Sequence, residues 1–420
     1  MREELERFEK VLVINNYLIG GGAEKVFIET IKLIKLVKPN IRVYVASCSE
    51  QIPEELRTLI DKHLFLSNSK RNPFSYIFNF SNFYKIYKFL LENEPDIIHI
   101  HNFYGNISPS VILGIKLYRK KSNKKIRVIQ TLHDYSILCP NSSLYNYYTN
   151  EPCEKCIGKK VKYKIILDRC YHGNFLVSLL KFLRTYLAIN VLKHTEAIDM
   201  FISPSNFLKE KLICEGIPKE KISIIRNPAT NTLSDIGCKK HKKEKFIIFV
   251  GRLSPEKGVD ILIKGFHIAK KNTLIGNDWK LYIVGSGPEE EKLKSLSQSE
   301  DIKFLGWLEH DEVINLIRKS SLLVLPSICY ENAPNAVLEA VLNCTRVLLT
   351  NHGGMREFYY MMPDMVYLFE YNRDKNEMAL NIAEALSRAL NEKDIPNCEK
   401  HSYFEPIVYI NEILREYNKL

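Results

Sequence analysis

The sequence predicts an α/β protein built from two doubly wound, parallel-sheet domains. Short apolar, β-branched runs typical of buried strands, such as "VLVIN" (11–15) and "FIIFV" (246–250), recur along the 420 residues. Segments with helical periodicity, such as "DEVINLIRKS", lie between them, and strands that alternate with helices form parallel sheets covered on both faces. The pattern occurs twice, and 420 residues exceed one ordinary core, so two domains are expected.

The domain boundaries follow from a change in composition. A basic stretch containing Ser, Thr and Asn lies at 229–245, between the two repeats of the strand–helix pattern, and predicts a linker. We expect an N-terminal domain over 1–228, with a cysteine-containing insertion at about 136–172, and a C-terminal domain over 246–400.

Composition and charge favour a folded, basic, soluble protein. Hydrophobic residues make up 45% of the chain, charged residues 26%, and the net charge is +11. The first ten residues are charged and unlike a secretory signal, and no apolar run is long enough to span a bilayer, so a cytoplasmic location is expected. Basic runs at 116–127 and 239–245 either attract phosphates, anionic lipid or nucleic acid, or are solvated turns.

Ten cysteines in a chain without an export signal are expected to be thiols or metal ligands rather than a disulfide framework. Cys139, Cys153, Cys156 and Cys170 form one Cys-x-x-Cys pair flanked by two single cysteines, a pattern that favours a four-thiolate structural zinc site. Four unrelated reduced thiols explain the pattern equally well, and His172 is an alternative ligand.

Unusual residues follow the predicted strands, where ligands of parallel sheets bind. The strand "FIIFV" continues into "GRLSPEKG", and two cations, Arg252 and Lys257, beside a helix start suit a diphosphate. The strand "LYIVG" continues into "SGPEEEKL", which contains Gly285. Each segment could equally be a tight turn with surface charges.

The stretch "VLPSICYENAPNAVLEA" (324–340) contains two glutamates on either side of a proline. Pro334 suits the first helical position, so the strand should end near Pro326, with Glu331 in the following loop and Glu339 inside the next helix. The two are therefore not a side-by-side carboxylate pair of the glycosidase kind. Each should meet a different part of one ligand.

The N-terminal half contains two further candidate sites. In "QTLHDY", His133 comes just after an apolar strand, where it can donate to a ligand oxygen or serve as a structural group. The turn "GGGAEK", with Gly21 and Gly22, is rich in backbone amides but matches neither a P-loop nor a dinucleotide motif.

Taken in order, these motifs resemble the retaining glycosyltransferases of family 4, which have the GT-B fold of two Rossmann-like domains facing across a cleft. The resemblance spans essentially the whole chain. It implies a hexosyltransferase-like enzyme of surface polysaccharide or glycolipid assembly, such as capsule or lipopolysaccharide synthesis. The motifs that carry it, besides the Glu331 to Glu339 spacing, are "GGAE" (21–24), "PDIIHIH" (95–101), "TLHDY" (131–135), "VGRLSPEKG" (250–258), "VGSGP" (284–288), "FLGW" (304–307) and "GGMRE" (353–357).

The resemblance also implies roles for single residues. Arg252 and Lys257 would hold the donor diphosphate, Glu331 would lie against the donor sugar, and Glu339 would bind the nucleotide ribose. His133 would sit by the sugar. The candidate catalytic residues are Glu331, His133, Arg252 and Lys257, and the candidate donor-binding residues are Gly21, Gly22, Arg252, Lys257, Gly285, Glu331, Asn332, Asn335, Ala336, Val337 and Glu339.

The expected partners are a nucleotide-diphosphate sugar donor and a saccharide or lipid-linked acceptor, which relatives bind in the N-terminal domain, and no nucleic acid. The resemblance implies that a terminal helix over 401–420 packs back on that domain. No cofactor is expected for catalysis, since the sequence contains no Asp-x-Asp. Cys344 and Arg346 replace a Gly and a Pro usual in the family, which affects only the geometry of a helix end.

Two other functions share part of this pattern. A sugar-nucleotide epimerase also pairs two such domains, although we identify no carboxylate and histidine set for its chemistry. A basic, zinc-containing nucleic-acid binder would explain the charge and the cysteines but not the clustering of motifs at strand ends. Separately, the aromatic segment 72–91 is either a membrane-surface helix on the inner face of the cell membrane or a core helix.

Overall fold

The computed structural model describes residues 8–228, 242–392 and 404–419. The chain divides into two compact units. The first comprises Met1–Tyr148, Cys153–Thr230 and Tyr403–Leu420, and the second comprises Thr149–Pro152 and Asn231–Ser402. Each unit contains one large parallel sheet with helices between its strands, so the predicted α/β class with two doubly wound domains is confirmed.

The first unit is built on a seven-stranded sheet whose strands are rich in Val and Ile. The strands of this sheet are β1 (Lys10–Ile14), β2 (Arg42–Ser47), β3 (Lys62–Phe65), β4 (Ile97–Ile100), β5 (Arg127–Thr131), β8 (Met200–Ser203) and β9 (Ile222–Ile224). Two short strands, β6 (Tyr145–Asn146) and β7 (Glu151–Pro152), lie between β5 and β8 in the sequence. The sheet order is β3-β2-β1-β4-β5-β8-β9, with parallel pairing. The order reverses between β1 and β4, and ligands of open α/β sheets bind at such a switch point.

Helices connect these strands. They are α1 (Gly22–Val37), α2 (Glu54–Arg57), α3 (Pro73–Ile77), α4 (Phe80–Asn93), α5 (Ser110–Lys121), α6 (Lys164–Leu167), α7 (Phe175–Tyr186), α8 (His194–Ala197) and α9 (Asn206–Cys214). The side chain of Asn79 caps α4 by accepting from the Asn82 amide at 3.0 Å.

The aromatic segment 72–91 forms α3 and most of α4 rather than one helix. Phe74 and Phe80 are 83% and 76% exposed, whereas Ile86 and Leu90 are fully buried. The core interpretation therefore holds for the later turns of α4, while α3 and the start of α4 present aromatic rings to solvent.

The second unit contains a six-stranded parallel sheet with the order β12-β11-β10-β13-β14-β15. Its strands are β10 (Glu244–Val250), β11 (Lys280–Val284), β12 (Ile302–Gly306), β13 (Ser320–Leu325), β14 (Arg346–Thr350) and β15 (Val366–Phe369). Its helices are α10 (Val259–Lys271), α11 (Glu290–Leu296), α12 (His310–Lys319), α13 (Asn335–Leu342), α14 (Met355–Met361) and α15 (Lys375–Asn391).

A last helix, α16 (Pro406–Tyr417), belongs to the first unit. The Tyr409 hydroxyl lies 2.7 Å from Thr30 Oγ1 on α1, and the Tyr417 hydroxyl lies 2.6 Å from His99 Nδ1 on β4. Tyr409 and Tyr417 are buried in the same core cluster as the strands of this unit. The helix is thus an integral part of the first core.

The predicted linker falls mostly outside the described residues, which resume at 242. Strand β10 begins at Glu244, two residues earlier than the predicted 246. Residues 401–403 of the predicted terminal helix also lie outside the described part of the chain. Within the described ranges, no helix is long and apolar enough to cross a membrane.

The basic run at 116–127 is partly used inside the protein. Arg119 donates to the Ala197 carbonyl and pairs with Asp199, and Lys124 pairs with Asp96. Arg119 and Lys124 tie α5 and the loop after it to neighbouring segments, so at least these two charges of the run are used inside the first unit.

Candidate active site

Two glycine turns interlock at the carboxyl ends of β10 and β11. Gly285 has a φ of +127°, and a Cβ at this position would lie 1.9 Å from the Gly251 carbonyl oxygen. A Cβ on Gly287 would lie 2.3 Å from the Leu253 carbonyl oxygen. Only glycine permits such close contacts between backbones. The segment that carries Arg252 is therefore held by the neighbouring turn.

The next residues dock on the loop after β13. Residues Pro255–Lys257 form a 3₁₀ turn that ends at Gly258, whose φ is +66°. A Cβ on Gly258 would lie 2.2 Å from the Pro326 carbonyl oxygen, and the Ile328 amide donates to the Glu256 carbonyl at 2.8 Å. This docking carries Lys257 to the loop that contains Glu331. Arg252 itself is exposed.

Lys257 and Glu331 form an ion pair. Lys257 Nζ lies 2.5 Å from Glu331 Oε1, and Ser327 Oγ donates to the same oxygen at 2.7 Å. Burial alone would raise the pKa of Glu331, but the Lys257 charge and the two hydrogen bonds outweigh it, so the pKa is lowered. Burial alone would lower the pKa of Lys257, but the charge and the hydrogen bond of Glu331 outweigh burial, so the pKa of Lys257 is raised. Both groups are charged at neutral pH.

The loop after β14 fixes the backbone around Glu331. The Gly354 amide donates to the Glu331 carbonyl at 2.8 Å, and a Cβ on Gly354 would lie 1.9 Å from the Asn332 carbonyl oxygen. His352 Nε2 lies 3.0 Å from the Ser327 carbonyl oxygen. The "GGMRE" motif thus acts as a brace for the Glu331 loop.

The two glutamates occupy different places, as the sequence predicts. Strand β13 ends at Leu325, Glu331 lies in the loop, and Glu339 lies inside α13, where it is 4% exposed. Pro334 is the N-cap with a ψ of 123°, not the first helical residue as predicted. Val337, a candidate donor-binding residue, is fully buried, with no surface exposed by its side chain or its backbone. Asn332 is 7% exposed, and Asn335 and Ala336 begin the helix half-buried.

In the first unit, His133 follows β5 and lies next to His101, which follows β4. His101 Nδ1 is 2.9 Å from His133 Nε2, and the rings stack with centroids 5.2 Å apart. Burial lowers the pKa of His133 to about 4, and burial together with the neighbouring histidines lowers the pKa of His101. Both rings are neutral at pH 7.

A third histidine supports this pair. His99 Nδ1 lies 2.6 Å from the Tyr417 hydroxyl and its Nε2 lies 2.8 Å from Thr131 Oγ1. The centroids of the His99 and His101 rings are 4.4 Å apart. Helix α16 therefore supports, through His99, the side of the sheet from which His101 and His133 emerge.

Gly21 and Gly22 lie at the start of α1, the former as the residue before the helix and the latter as its first residue. The Gly21 amide donates to Glu24 Oε2 at 3.0 Å. Burial raises the pKa of Glu24, and hydrogen bonds oppose that rise. The turn after β1 is thus closed by its own helix's first-turn carboxylate.

The candidate residues fall into two groups, one in each unit. The second unit brings together Lys257 and Glu331 and places Gly285 beside the Arg252 segment. The first unit holds His133 and the Gly21 turn. A cation fixed by a carboxylate next to a helix start can stabilise an anionic diphosphate, and a neutral histidine can donate to a hydroxyl or ring oxygen.

Sequence reasoning missed His101 and Ser327 as neighbours of the candidate residues. For His101 a signal existed, because "HIH" places His99 and His101 two residues apart, on one face of the chain where β4 ends. For Ser327 no signal existed, since a serine in a loop is common and only the fold buries this one with its hydroxyl at Glu331.

The four cysteines of the predicted zinc site lie close enough to influence one another. Burial first, and the neighbouring thiols second, raise the pKa of Cys156 and of Cys170 to about 12. Across residues 8–228, 242–392 and 404–419, no three His, Cys, Asp or Glu side chains are positioned to hold a metal ion. The expectation that no cysteine forms a disulfide is wrong for Cys344, which is disulfide-bonded.

Two family models match the sequence. The model described as Glycosyltransferase Family 4 matches residues 20–230, and the model described as Glycosyl transferases group 1 matches residues 237–398. The chain belongs to glycosyltransferase family 4. It is an enzyme of the glycosyltransferase class, and the resemblance noted in its motifs is confirmed at the level of the family.

Individual proteins similar to this glycosyltransferase point the same way. It is 27% identical over 315 residues to an uncharacterized 42.6 kDa protein in the cps region of Klebsiella pneumoniae, covering 72% of each chain. The apo lipopolysaccharide outer core galactosyltransferase WaaB shares the fold with a TM-score of 0.62 at 19% identity, covering 98% of this chain and 99% of that one. Anabaena Alr3699/HepE, solved with UDP and glucose, has a TM-score of 0.60 at 16% identity, covering 98% and 100%.

Proposed function

We propose that this glycosyltransferase moves a sugar from a nucleotide-diphosphate donor to an acceptor hydroxyl, with retained anomeric configuration, in the assembly of a surface polysaccharide or glycolipid. The Lys257–Glu331 pair carries the proposal, because it fixes an ammonium beside the start of α13 and at the carboxyl end of the second sheet. The structural neighbour solved with UDP and glucose supports a nucleotide-sugar donor, and the cps-region relative supports a polysaccharide product.

The proposed roles follow the geometry of the second unit. The Lys257 ammonium, together with the exposed Arg252 guanidinium, neutralises the diphosphate as it departs, which stabilises charge that develops in the transition state. Glu331 holds Lys257 in place through one carboxylate oxygen and leaves the other for a donor hydroxyl. Glu339, inside α13, binds the ribose.

His133 and the Gly21 turn of the first unit are proposed to serve the sugar. A neutral imidazole is suited to donate one hydrogen bond to a sugar oxygen, and the backbone amides at the start of α1 are suited to an oxygen ligand. Retention is taken from the family resemblance, because no side chain of the described residues is identified as a double-displacement nucleophile.

The test is donor turnover with a panel of UDP- and GDP-sugars, with product stereochemistry followed by NMR, in the presence of EDTA because no catalytic metal is expected. Transfer with retention in EDTA supports the proposal. An inverted product would refute the retaining assignment. Epimerised nucleotide sugar formed without acceptor would favour the epimerase alternative, and a duplex or RNA gel shift without sugar turnover would favour nucleic-acid binding.

We also propose that the enzyme works on the inner face of the cell membrane. The exposed rings of Phe74 and Phe80 support this, since aromatic rings bind at the interface between lipid headgroups and acyl chains. Sedimentation with anionic and neutral vesicles tests it on the wild type and on Phe74→Ser/Phe80→Ser. Equal lipid binding by the two proteins, or none at low salt, would count against it.

A further inference from the structure

A second group of charged side chains lies in the first unit, apart from the His101–His133 pair. Arg184 is at its centre and is only 3% exposed. Its guanidinium donates to the Tyr76 hydroxyl at 2.5 Å, to the Tyr104 carbonyl at 3.0 Å and to the Pro140 carbonyl at 3.1 Å. All three acceptors are neutral, so these hydrogen bonds hold the buried guanidinium in position without neutralising its positive charge.

Lys181 adds a second cation one turn earlier on α7. Its ammonium lies 4.6 Å from the centroid of the Tyr171 ring. Burial first, and the charge of Arg184 second, lower the pKa of Lys181 to about 8; Lys70 also lowers it, while Cys139 and Asp134 raise it. Burial and the nearby cation Arg184 thus act in the same direction on this ammonium.

Lys70 is the third cation. A Cβ placed on Gly105 would lie 3.7 Å from Lys70 Cε and 3.9 Å from its Nζ. The adjacent Tyr104 carbonyl accepts from Arg184. Lys70 and Arg184 therefore flank one turn, Tyr104–Gly105, just beyond the carboxyl end of β4, where parallel sheets bind ligands.

The carboxylate of Asp134 faces Arg184 and Lys181. Asp134 follows His133, and its Oδ1 accepts from the Ser136 amide at 2.8 Å. Burial raises its pKa, which hydrogen bonds with Ser136 and the charges of Arg184 and Lys181 oppose. Among the described residues, Arg184 and Lys181 facing Asp134 leave a net positive charge that an anionic ligand would compensate.

Apolar side chains are exposed on the two helices that carry Tyr76 and Arg184. Tyr76 on α3 binds Arg184 on α7, so the two helices are in contact at the site. On α3, Phe74 is 83% exposed, and on α7, Leu176 and Leu183 are 69% and 38% exposed. The helix that carries Arg184 and Lys181, and the helix it contacts, thus also expose apolar side chains. This combination is suited to a phosphorylated lipid rather than to a free sugar phosphate.

We propose that Lys70, Lys181 and Arg184 bind the phosphate group of the acceptor, and that this acceptor is a lipid-linked phosphate or diphosphate. This inference rests on the proposed function only in calling the ligand an acceptor. The observations that support the anion site all come from the first unit. Guanidinium and ammonium groups are the usual partners of phosphate oxygens, the former through paired hydrogen bonds and the latter as a point charge.

Calorimetry with farnesyl diphosphate and with glucose 1-phosphate tests the inference on the full chain. We expect Lys181→Gln to weaken farnesyl diphosphate binding about tenfold or more, the loss that follows from removing one charged hydrogen-bond donor. Lys120→Gln, which removes an exposed charge from the last turn of α5, should change it less than about twofold. Lys181→Arg should restore binding, which excludes loss of folding as the cause.

Variants of the second unit separate the two candidate anion sites. Arg252→Gln should leave farnesyl diphosphate binding unchanged. If Arg252→Gln abolishes binding while Lys181→Gln does not, the diphosphate occupies the donor site and the inference is overturned. Tighter binding of glucose 1-phosphate than of farnesyl diphosphate would overturn the lipid assignment. Absence of sugar-nucleotide turnover with Lys181-dependent binding intact would refute the proposed function and leave the anion site standing.

Discussion

The hydrogen bond between His101 Nδ1 and His133 Nε2 is 2.9 Å long, and only one direction of donation fits the surroundings of the two rings. The direction follows from the other nitrogen of His101, because Nε2 is buried and has no hydrogen-bond partner among the described residues. A buried N–H without an acceptor is costlier and rarer than a bare acceptor, so the His101 proton resides on Nδ1. His133 is neutral, and its own proton must then be on Nδ1. With its proton on Nδ1, His133 can donate a hydrogen bond to a ligand but is not poised to act as a base.

The first prediction is the tautomer itself. In the histidine-labelled protein, ¹⁵N NMR at pH 7 should show His133 protonated at Nδ1. His101→Asp places an acceptor where the donor was and should shift His133 toward the Nε2–H form, whereas His101→Asn, whose side-chain amide can donate in place of Nδ1–H, should keep the wild-type tautomer. His133→Gln identifies the signal by its disappearance.

The lowered pKa of His133 also predicts how its ¹⁵N signal depends on pH. The pKa of His133 is lowered to about 4, so the ring should stay neutral from pH 8 to about 5 and take up its proton only below that range. An unfolded histidine titrates near 6.5, so the folded first unit loses stability as the pH falls from about 6.5 toward 4. Titration of His133 near pH 6.5, or an Nε2–H form in the wild type, would contradict the assigned geometry.

The fold could be predicted from the sequence further than the site could. The alternation of strands and helices predicts both sheets, because each strand is a local run of apolar residues. The glycines of "VGSGP" and "SPEKG" indicate the turns, because positive φ is a local property of the backbone. The pairing of Lys257 with Glu331, 74 residues apart, and of His101 with His133, 32 apart, depends on which strands become neighbours. No local pattern contains that information. The same limit applies to Val337, whose burial depends on how α13 is turned against its sheet.

The Lys257–Glu331 pair yields the second prediction. Lys257→Ala should lower turnover about 100-fold or more, the scale of losing a group that stabilises transition-state charge. Glu331→Gln should reduce turnover more than donor affinity, while Glu339→Ala should mainly weaken donor affinity through the ribose. Turnover and calorimetric donor affinity, measured on each variant, separate these effects.

A matched control is available in the same unit. Lys280 pairs with Asp301 at 2.5 Å, and its side chain is 39% exposed against 26% for Lys257. Lys280→Ala should therefore remove a similar contact without changing turnover. Full activity of Lys257→Ala, or equal losses in both lysine variants, would show that the pair has no role in the reaction.

The third prediction concerns the brace formed by Gly354. Its φ is −70°, so alanine would meet no backbone strain, but the added Cβ would lie 1.9 Å from the Asn332 carbonyl oxygen. Gly354→Ala should displace the Glu331 loop and reduce donor affinity and turnover together. Gly306→Ala is the complementary control, because its φ is +67° and a Cβ there meets no atom within 4 Å. Gly306→Ala should lower thermal stability while donor affinity is kept; the reverse ranking of the two variants in donor affinity would contradict the role of the brace.

The last prediction concerns the cysteines of the insertion. Without metal the thiols of Cys156 and Cys170 stay protonated, since burial first, and the neighbouring thiols of Cys139 and Cys153 second, raise each pKa to about 12. A bound Zn²⁺ would stabilise the thiolate form of these cysteines and so lower their pKa, provided that the side chains move together from their present positions. Elemental analysis of protein purified without added zinc should then find about one zinc per chain.

Substitution distinguishes a shared site from four independent thiols. Cys153→Ser and Cys156→Ser should each lower the zinc content and the melting temperature, because both would remove a ligand from the same ion. Cys214→Ser, at an exposed free thiol on α9, should change neither. A chelator that lowers the melting temperature of the wild type but not of Cys156→Ser would tie the stability to the metal. A metal-free protein of equal stability would eliminate the zinc site and leave four independent thiols, three of them buried, whose packing alone orders the insertion.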